Sequence, residues 1–373
     1  KHKEIAYETA LESMVLLKND KGILPLSKGI KKIALIGPNC DDVQSQLGDW
    51  SFGTREYPEL PTLDYHVEYD TSSIITILEG IRERAGNNIK VLYEKGCDLL
   101  DKNKLSIEKA KKNASESDVI IAVIGDTNTL NGETRDRVNL DLTGGQLQLL
   151  HELKKTGVPL IVVLINGKPL TVPWIKSNAD AILEAWNPGM EGGRAVASIL
   201  FGDYNPSGKL TISFPYEVGQ QPVFYNQLPG WHGNSYVEMT AEALFPFGFG
   251  MSYTKYKYSN MRVSSHKLNK GETLTTSVDV ENIGSYEGTE IVQLYINDLY
   301  SSVTTPIKEL KGFNRVYLKP GEKKTVNITI PVSDLALVNK HCQSVVEPGE
   351  FEIMIGSSSR DEDLLITTIE VVE

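Results

Sequence analysis

Between Glu4 and Leu17 the apolar positions Ile5, Ala6, Ala10, Met14, Val15 and Leu17 recur at helical spacing and predict an amphipathic helix. Beyond it, short continuous apolar runs alternate with segments of helical period. Ile33 to Ile36 predicts a strand halted by Gly37-Pro38, and Ser73 to Arg84 predicts a helix with Ile74, Ile77, Leu78 and Ile81 on one face. Lys90 to Tyr93 reads as a strand, Ile107 to Ser117 as a charged helix, and Val119 to Ile124 as a strand again. The series continues with a helix over Gln146 to Lys155, a strand over Leu160 to Ile165, a short helix near Val172 to Lys176, a strand over Ala181 to Trp186 and a helix over Glu191 to Phe201. A strand that is apolar throughout is one buried on both faces, so this alternation predicts a mostly parallel sheet with helices on either side. Residues 1–205 are expected to form one doubly wound α/β domain.

The pattern changes after Asn205-Pro206-Ser207-Gly208. Pro215, Pro222, Pro229 and Pro246 punctuate a stretch rich in Gly and aromatics that ends in Phe245-Pro246-Phe247-Gly248-Phe249-Gly250, and 206–255 reads as a connector packed on the α/β domain. From 256 to 373 no segment of helical period stands out. Leu274 to Val280, Ile291 to Ile296, Val326 to Ile330 and Phe351 to Ile355 lie between turn signals such as Pro320-Gly321 and Pro348-Gly349, which predicts a small β-sandwich.

Composition narrows the function. Forty per cent hydrophobic residues against 23% charged exclude general disorder. With 38 basic and 49 acidic residues the net charge is −11, and no Lys/Arg cluster offsets it, so nucleic acid and anionic membrane are poor partners. The longest apolar runs, Val119 to Ile124 and Leu160 to Ile165, fall far short of the roughly 18 residues a spanning helix needs. Cys40, Cys97 and Cys342 form no C-x-x-C pair and no disulfide framework. His151-Glu152 lacks a second histidine four residues after the first, and no Walker or G-x-S-x-G sequence occurs, so neither metal nor cofactor is expected. The chain begins at Lys1 rather than Met, and 1–17 has no secretory apolar core; it reads as part of a longer polypeptide. Oligomeric state is open, a homodimer included.

The most informative segment runs from Gly125 to Asn139, 15 residues where a strand-to-helix connection usually takes roughly 2–6. It leaves the carboxyl end of a central strand, where open parallel sheets bind ligands. Asp126, Glu133 and Asp136 supply carboxylates, and Arg135 and Arg137 supply cations. Two readings stand. Either the loop is solvated and Arg137 pairs structurally with Asp136, or Gly132 frees the backbone so that Glu133 reaches into a cleft as a general acid. The second requires Asp136 and Asp141 to neutralise the neighbouring arginines, which would otherwise depress the acid's pKa. Gly48-Asp49-Trp50-Ser51 suits sugar binding, with Trp50 stacking on an apolar sugar face and Asp49 or Ser51 bonding hydroxyls, but a Trp plugging a domain contact fits equally. Asn187-Pro188-Gly189-Met190-Glu191-Gly192-Gly193 lacks phosphate-loop spacing and reads as a tight turn with close helix packing.

Several motifs in order resemble glycoside hydrolase family 3. Val15-Leu16-Leu17-Lys18-Asn19 with Leu24-Pro25-Leu26, Ile33 to Pro38, Gly132-Glu133-Thr134-Arg135-Asp136-Arg137 with Leu140-Asp141-Leu142, and Asn187-Pro188-Gly189 with Gly192-Gly193 look like its second domain. Pro206 to Leu210 and Phe245 to Thr254 resemble the end of that domain. Lys308 to Phe313 and Leu318 to Glu322 resemble the fibronectin type III-like domain that often follows. The resemblance implies a retaining exo-acting β-glycosidase, most often a β-glucosidase, acting on an oligosaccharide or β-glucoside. It implies that Glu133 is the acid/base, that Trp50 lies near the sugar, and that the nucleophilic aspartate belongs to an N-terminal (β/α)8 barrel. No barrel precedes Lys1, so that partner is expected as a separate chain or a missing segment, and this chain alone is expected to be inactive. β-Xylosidase and β-N-acetylglucosaminidase activities remain alternatives within the family, and a non-catalytic carbohydrate-binding scaffold is the rival outside it. A bacterial periplasmic or secreted location is favoured over a cytoplasmic one.

Overall fold

Six strands in the order β1-β6-β5-β4-β2-β3 make up the sheet that the apolar runs predict. They are β1 Val15–Asn19, β2 Lys32–Ile36, β3 Lys90–Glu94, β4 Val119–Gly125, β5 Leu160–Ile165 and β6 Ala181–Glu184. This is a computed structural model, and residues 1–49, 51, 71–230 and 235–373 are described. They fall into two units, Lys1–Gly208 with Tyr216–Val218, and Lys209–Pro215 with Gly219–Glu373. In the first unit β2 to β6 run parallel, and every residue of β4, β5 and β6 is buried, which is why their sequences show no alternation.

The helices are α1 His2–Ser13, α2 Val43–Leu47, α3 Ile77–Ala85, α4 Ile107–Ser115, α5 Gln146–Lys154, α6 Pro173–Asn178 and α7 Gly192–Phe201. α7 packs on both α1 and α3, while α4 packs on α5. The β2-α3-β3 crossover leads to one edge of the sheet, whereas β4-α5-β5-α6-β6 leads toward the other. Crossovers of a single hand then place the two helix groups on opposite faces. The chain order reverses between β2 and β4.

The structure corrects two boundaries. The helix expected over Glu4 to Leu17 ends at Ser13, Met14 turns extended at φ −71° and ψ 139°, and β1 follows as an edge strand antiparallel to β6. The apolar run Met14 to Leu17 fits either period, and its complete burial at the sheet edge settles the conformation. The helix expected from Ser73 begins at Ile77, because Thr76 and Glu79 cap each other. The Glu79 amide donates to the Thr76 hydroxyl at 3.3 Å and the Thr76 amide to the Glu79 carboxylate at 2.9 Å. Close helix packing at the Asn187–Gly193 turn is observed: a Cβ on Gly193 would stand 1.9 Å from the Thr76 carbonyl oxygen of α3.

The second unit is an all-β sandwich. A five-stranded sheet, β11-β10-β15-β16-β8, faces a three-stranded one, β12-β9-β7. The strands are β7 Tyr256–Val263, β8 Lys267–Asn269, β9 Thr273–Asn282, β10 Gly288–Asp298, β11 Glu309–Leu318, β12 Lys323–Pro331, β15 Gly349–Gly356 and β16 Leu364–Val372, with β13 Leu337–Val338 and β14 Ser344–Val345 as a small separate ribbon. Leu274, Val278 and Val280 from one sheet meet Val292, Leu294, Ile353 and Ile355 from the other in the core. Most of the connector groups with this unit: Phe247 stacks on Tyr225 at 4.1 Å, and the Gln293 side chain donates to the Gly248 carbonyl at 3.0 Å.

Candidate active site

Ligands of doubly wound sheets bind beyond the carboxyl ends of the strands, at the point where the strand order reverses. Here that point lies between β2 and β4, and the loops that leave those strands carry the Asp49 and Glu133 segments. The β4 loop starts at Gly125, whose φ of +150° and approach to β5 exclude a side chain: a Cβ would stand 1.9 Å from the Ile165 carbonyl oxygen. Gln146, at the start of α5, ties the two ends of the loop together. Its carbonyl accepts from the Gly125 amide at 2.8 Å, and its amide donates to the Gly125 carbonyl at 2.9 Å and to the Thr143 carbonyl at 3.1 Å.

Inside that closed base the charged residues are divided between root and tip. Asp126 is buried, and its carboxylate takes Lys168 Nζ at 2.5 Å and Arg137 at 3.4 Å. Arg137 also donates to the Asp141 carbonyl at 2.7 Å, so it turns inward to Asp126, where the solvated-loop reading paired it with Asp136. Asp141 is held in turn by the Asn139 side chain at 2.8 Å and by the Thr171 hydroxyl. The tip, by contrast, is exposed at Gly132, Glu133, Thr134 and Asp136. Gly132 has φ +104° and Thr134 φ +66°, and a β-branched residue in that region is a strained one, of the kind that gathers at functional sites.

The two loops meet. A Cβ on Gly132 would stand 2.0 Å from Asp49 Oδ2, so the residue before Glu133 lies directly against the Asp49 carboxylate. The Ser51 hydroxyl donates to the Gly48 carbonyl at 2.8 Å and closes the turn behind Asp49. Trp50, the proposed sugar platform, lies outside the described residues. A cavity of about 350 Å³ opens between the loops, lined by Asp49, Asn131, Gly132, Arg135 and Lys168 among others.

Buried polar atoms without a hydrogen-bond partner among the described residues gather at this end of the sheet. Five of them lie here, Asn39 Oδ1, Gln46 Oε1, Asp49 Oδ2, Asn128 Nδ2 and Asn166 Oδ1, all on segments that follow β2, β4 or β5. Burying a polar atom unpaired costs about 1–3 kcal/mol, and such costs concentrate where a surface is shaped for a ligand. Glu184 closes the end of β6; burial pushes its carboxyl up to about 8, against the lowering effect of the Trp186 amide at 2.8 Å and the Asn166 side chain at 3.2 Å. Among the described residues no trio of His, Cys, Asp or Glu is placed to hold a metal ion.

Residues 14–253 match the model of the glycosyl hydrolase family 3 C-terminal domain, and 290–359 match that of a fibronectin type III-like domain. The chain belongs to glycosyl hydrolase family 3. It is 41% identical to a β-xylosidase of Formosa agariphila over 99% of its own length and 50% of that protein. It is 37% identical to a periplasmic β-glucosidase of Salmonella typhimurium over 96% of its length and 49% of the relative. Among solved structures, a β-glucosidase involved in saponin metabolism from intestinal bacteria superimposes over the whole chain and 54% of its own, with TM-score 0.92 and 36% identity. A β-glucosidase of Listeria innocua in complex with glucose does so with TM-score 0.86 and 32% identity. The chain spans about half the length of the curated relatives it matches.

Within this family-3 domain, reasoning from the sequence overlooked Lys168, Gln146 and Asn39, which all donate to loop carbonyls, and the role of Asn131 inside the loop. A signal for Lys168 was present. Asn166-Gly167-Lys168-Pro169 directly follows an apolar parallel strand, so the strand-end rule that singled out Gly125 to Asn139 applies to it equally.

Proposed function

We propose that the chain carries the proton donor of a retaining exo-acting β-glycosidase, and that Glu133 is that donor. The observation that carries the reading is an exposed carboxylate on the strained tip of a long loop whose root is locked, at the point where the strand order reverses. In the first step Glu133 gives its proton to the glycosidic oxygen while an aspartate attacks the sugar carbon; in the second it takes a proton from the water that releases the sugar. Retention needs the two carboxyl groups about 5–5.5 Å apart, and we assign the attacking one to the N-terminal (β/α)8 barrel of the complete enzyme. Asp49 beside Gly132, with Trp50 and Ser51, forms our proposed sugar-binding edge. The isolated chain is then inactive toward an aryl β-glucoside.

β-Glucosides are the substrates we favour, as in the names of the Salmonella typhimurium relative and of the similar solved structures; β-xylosides are the second reading, supported by the 41% identity to a protein named as a β-xylosidase. A non-catalytic carbohydrate-binding scaffold would have no use for a strained acidic loop tip. Among the described residues no helix is long and apolar enough to cross a membrane, and a relative named as periplasmic supports a periplasmic or secreted location. The test is Glu133→Gln in the complete enzyme. In kcat/KM, which reports the glycosylation step alone, glycosides with poor leaving groups should slow far more than dinitrophenyl glycosides, because only the former need a proton at the departing oxygen; equal loss of kcat/KM on both would remove Glu133 from the acid role.

A further inference from the structure

Lys168 stands just beyond β5, and its ammonium has three hydrogens and three acceptors. They are Asp126 Oδ2 at 2.5 Å, the Leu130 carbonyl at 2.8 Å, and Asn131 Oδ1. Asp126 is the root of the β4 loop, whereas Leu130 and Asn131 flank its tip, and Asn131 is two residues from Glu133. One cation thus ties root and tip to β5. Stability alone would ask for less, since Arg137 already offers Asp126 a second cation. The additional donors go to the part of the loop that carries the acid.

Lys168 is itself held by buried groups. The Asn166 side chain donates to the Lys168 carbonyl at 2.9 Å and to Glu184 Oε2 at 3.2 Å, and the Trp186 amide donates to the other Glu184 oxygen at 2.8 Å. Asn166 and Glu184 are fully buried. Gly167 lies against the same loop: a Cβ there would stand at ordinary van der Waals distance, 3.4 Å, from the Asn131 amide carbon. This is the layout of a preorganised site, in which the group that reacts sits on a loop and a second layer on rigid strands fixes where that loop stands.

We propose that Lys168 is a positioning residue for the acid/base carboxyl, acting through Leu130 and Asn131 on the placement of Glu133; the inference rests on the reading of Glu133 as the proton donor. A misplacement of about 1 Å costs on the order of 100-fold in rate. In the complete enzyme, Lys168→Met should therefore lower kcat/KM roughly 10–100-fold for alkyl glycosides. For dinitrophenyl glycosides kcat/KM, which reports the glycosylation step alone, should change little. Lys168→Arg, which keeps a cation against Asp126 and donors toward the loop, should restore most of the loss. Asn131→Ala, which leaves the Asp126–Lys168 pair intact, should show the same leaving-group dependence in milder form, and it serves if Lys168→Met fails to fold. Equal loss on both substrate classes, or none, overturns the inference when Glu133→Gln does show the leaving-group dependence. If Glu133→Gln shows none, both readings fall.

Discussion

In the sandwich unit the buried carboxylate Glu290 has Lys209 Nζ at 3.3 Å and the Tyr258 hydroxyl at 2.8 Å, while in the α/β unit the equally buried Glu184 accepts from the uncharged Trp186 amide and Asn166 side chain. The same contrast extends to neutral groups. Asn282 in the sandwich donates to two carbonyls and accepts from the Thr254 hydroxyl, whereas Asn39 and Asn166 in the α/β unit each leave an amide oxygen unpaired. Unpaired atoms occur in the sandwich too, among them Thr276 Oγ1 and Asp298 Oδ2, but they lie on different strands. In the α/β unit they converge on the carboxyl ends of neighbouring strands. The sandwich scatters its unpaired atoms, whereas the α/β unit, which does pair buried Asp126 with Lys168 and Arg137, gathers its own at one end of the sheet, the distribution expected of a site.

The largest effect that would break this comparison is at Glu133. Its conversion to Gln in the complete enzyme should cost about 10²- to 10⁴-fold in kcat/KM on glycosides with poor leaving groups. Being exposed, it should change stability by less than about 0.5 kcal/mol. A large thermal shift without a rate loss would make the loop tip a structural element.

How much of this was legible in the sequence follows the same division. β4 and β5 were readable almost to the residue because burial on both faces leaves no polar position to blur their ends. In the sandwich, β9, β10, β12 and β15 stood out, but β11 did not: Glu309 to Leu318 has three consecutive exposed residues, Phe313 to Arg315, and one clear inward position before its end. The acidic loop was visible from its length. The clamp that fixes it was not, because Lys168 and Asp126 lie 42 positions apart and nothing local in either segment specifies the other. Only the parallel register of β4 with β5, Gly125 against Ile165, brings them together.

The next largest effect sharpens the sandwich side. Lys209→Met leaves Glu290 buried without its cation, a change worth about 3–5 kcal/mol at neutral pH. Burial already raises the Glu290 carboxyl and Lys209 opposes that rise, so the variant raises it further. A carboxyl whose folded pKa lies above its unfolded one favours folding less as pH climbs between the two values. The penalty should therefore grow in denaturant unfolding as pH rises above the ordinary carboxylate range. A pH-independent penalty would mean that the pair matters through packing alone.

Glu184 supplies the mirror case. Its folded pKa of about 8 against an ordinary 4.5 means that the folded chain keeps a proton the unfolded chain loses, so this residue removes stability as pH rises through that interval. The full difference corresponds to roughly 5 kcal/mol, an upper bound because local relaxation relieves part of it. Glu184→Gln, which preserves shape and keeps one acceptor oxygen for the Trp186 amide or the Asn166 side chain, should flatten the fall in stability between pH 5 and pH 8. An unchanged slope would show that Glu184 is ionised in the folded chain with a compensation other than the Trp186 and Asn166 donors.

The smallest effect concerns the scaffold beneath the site. Thr76 caps α3 reciprocally with Glu79, and its carbonyl lies against Gly193 of α7. Thr76→Ala removes the hydroxyl that satisfies the Glu79 amide, and the loss of such a cap costs typically about 1 kcal/mol. Because the backbone contact with Gly193 does not involve the side chain, α3 and α7 should keep their spacing, and hydrogen exchange should quicken in the first turn of α3 without spreading to β4 or β5. Catalysis by the complete enzyme should be unaffected, since nothing in the cap reaches the β4 loop. If the variant instead lost activity in the graded manner expected of Glu133→Gln, the open polar end of the sheet would have to be held by the α3 side of the unit as well as by Lys168, and the division between scaffold and site would move to the helix layer.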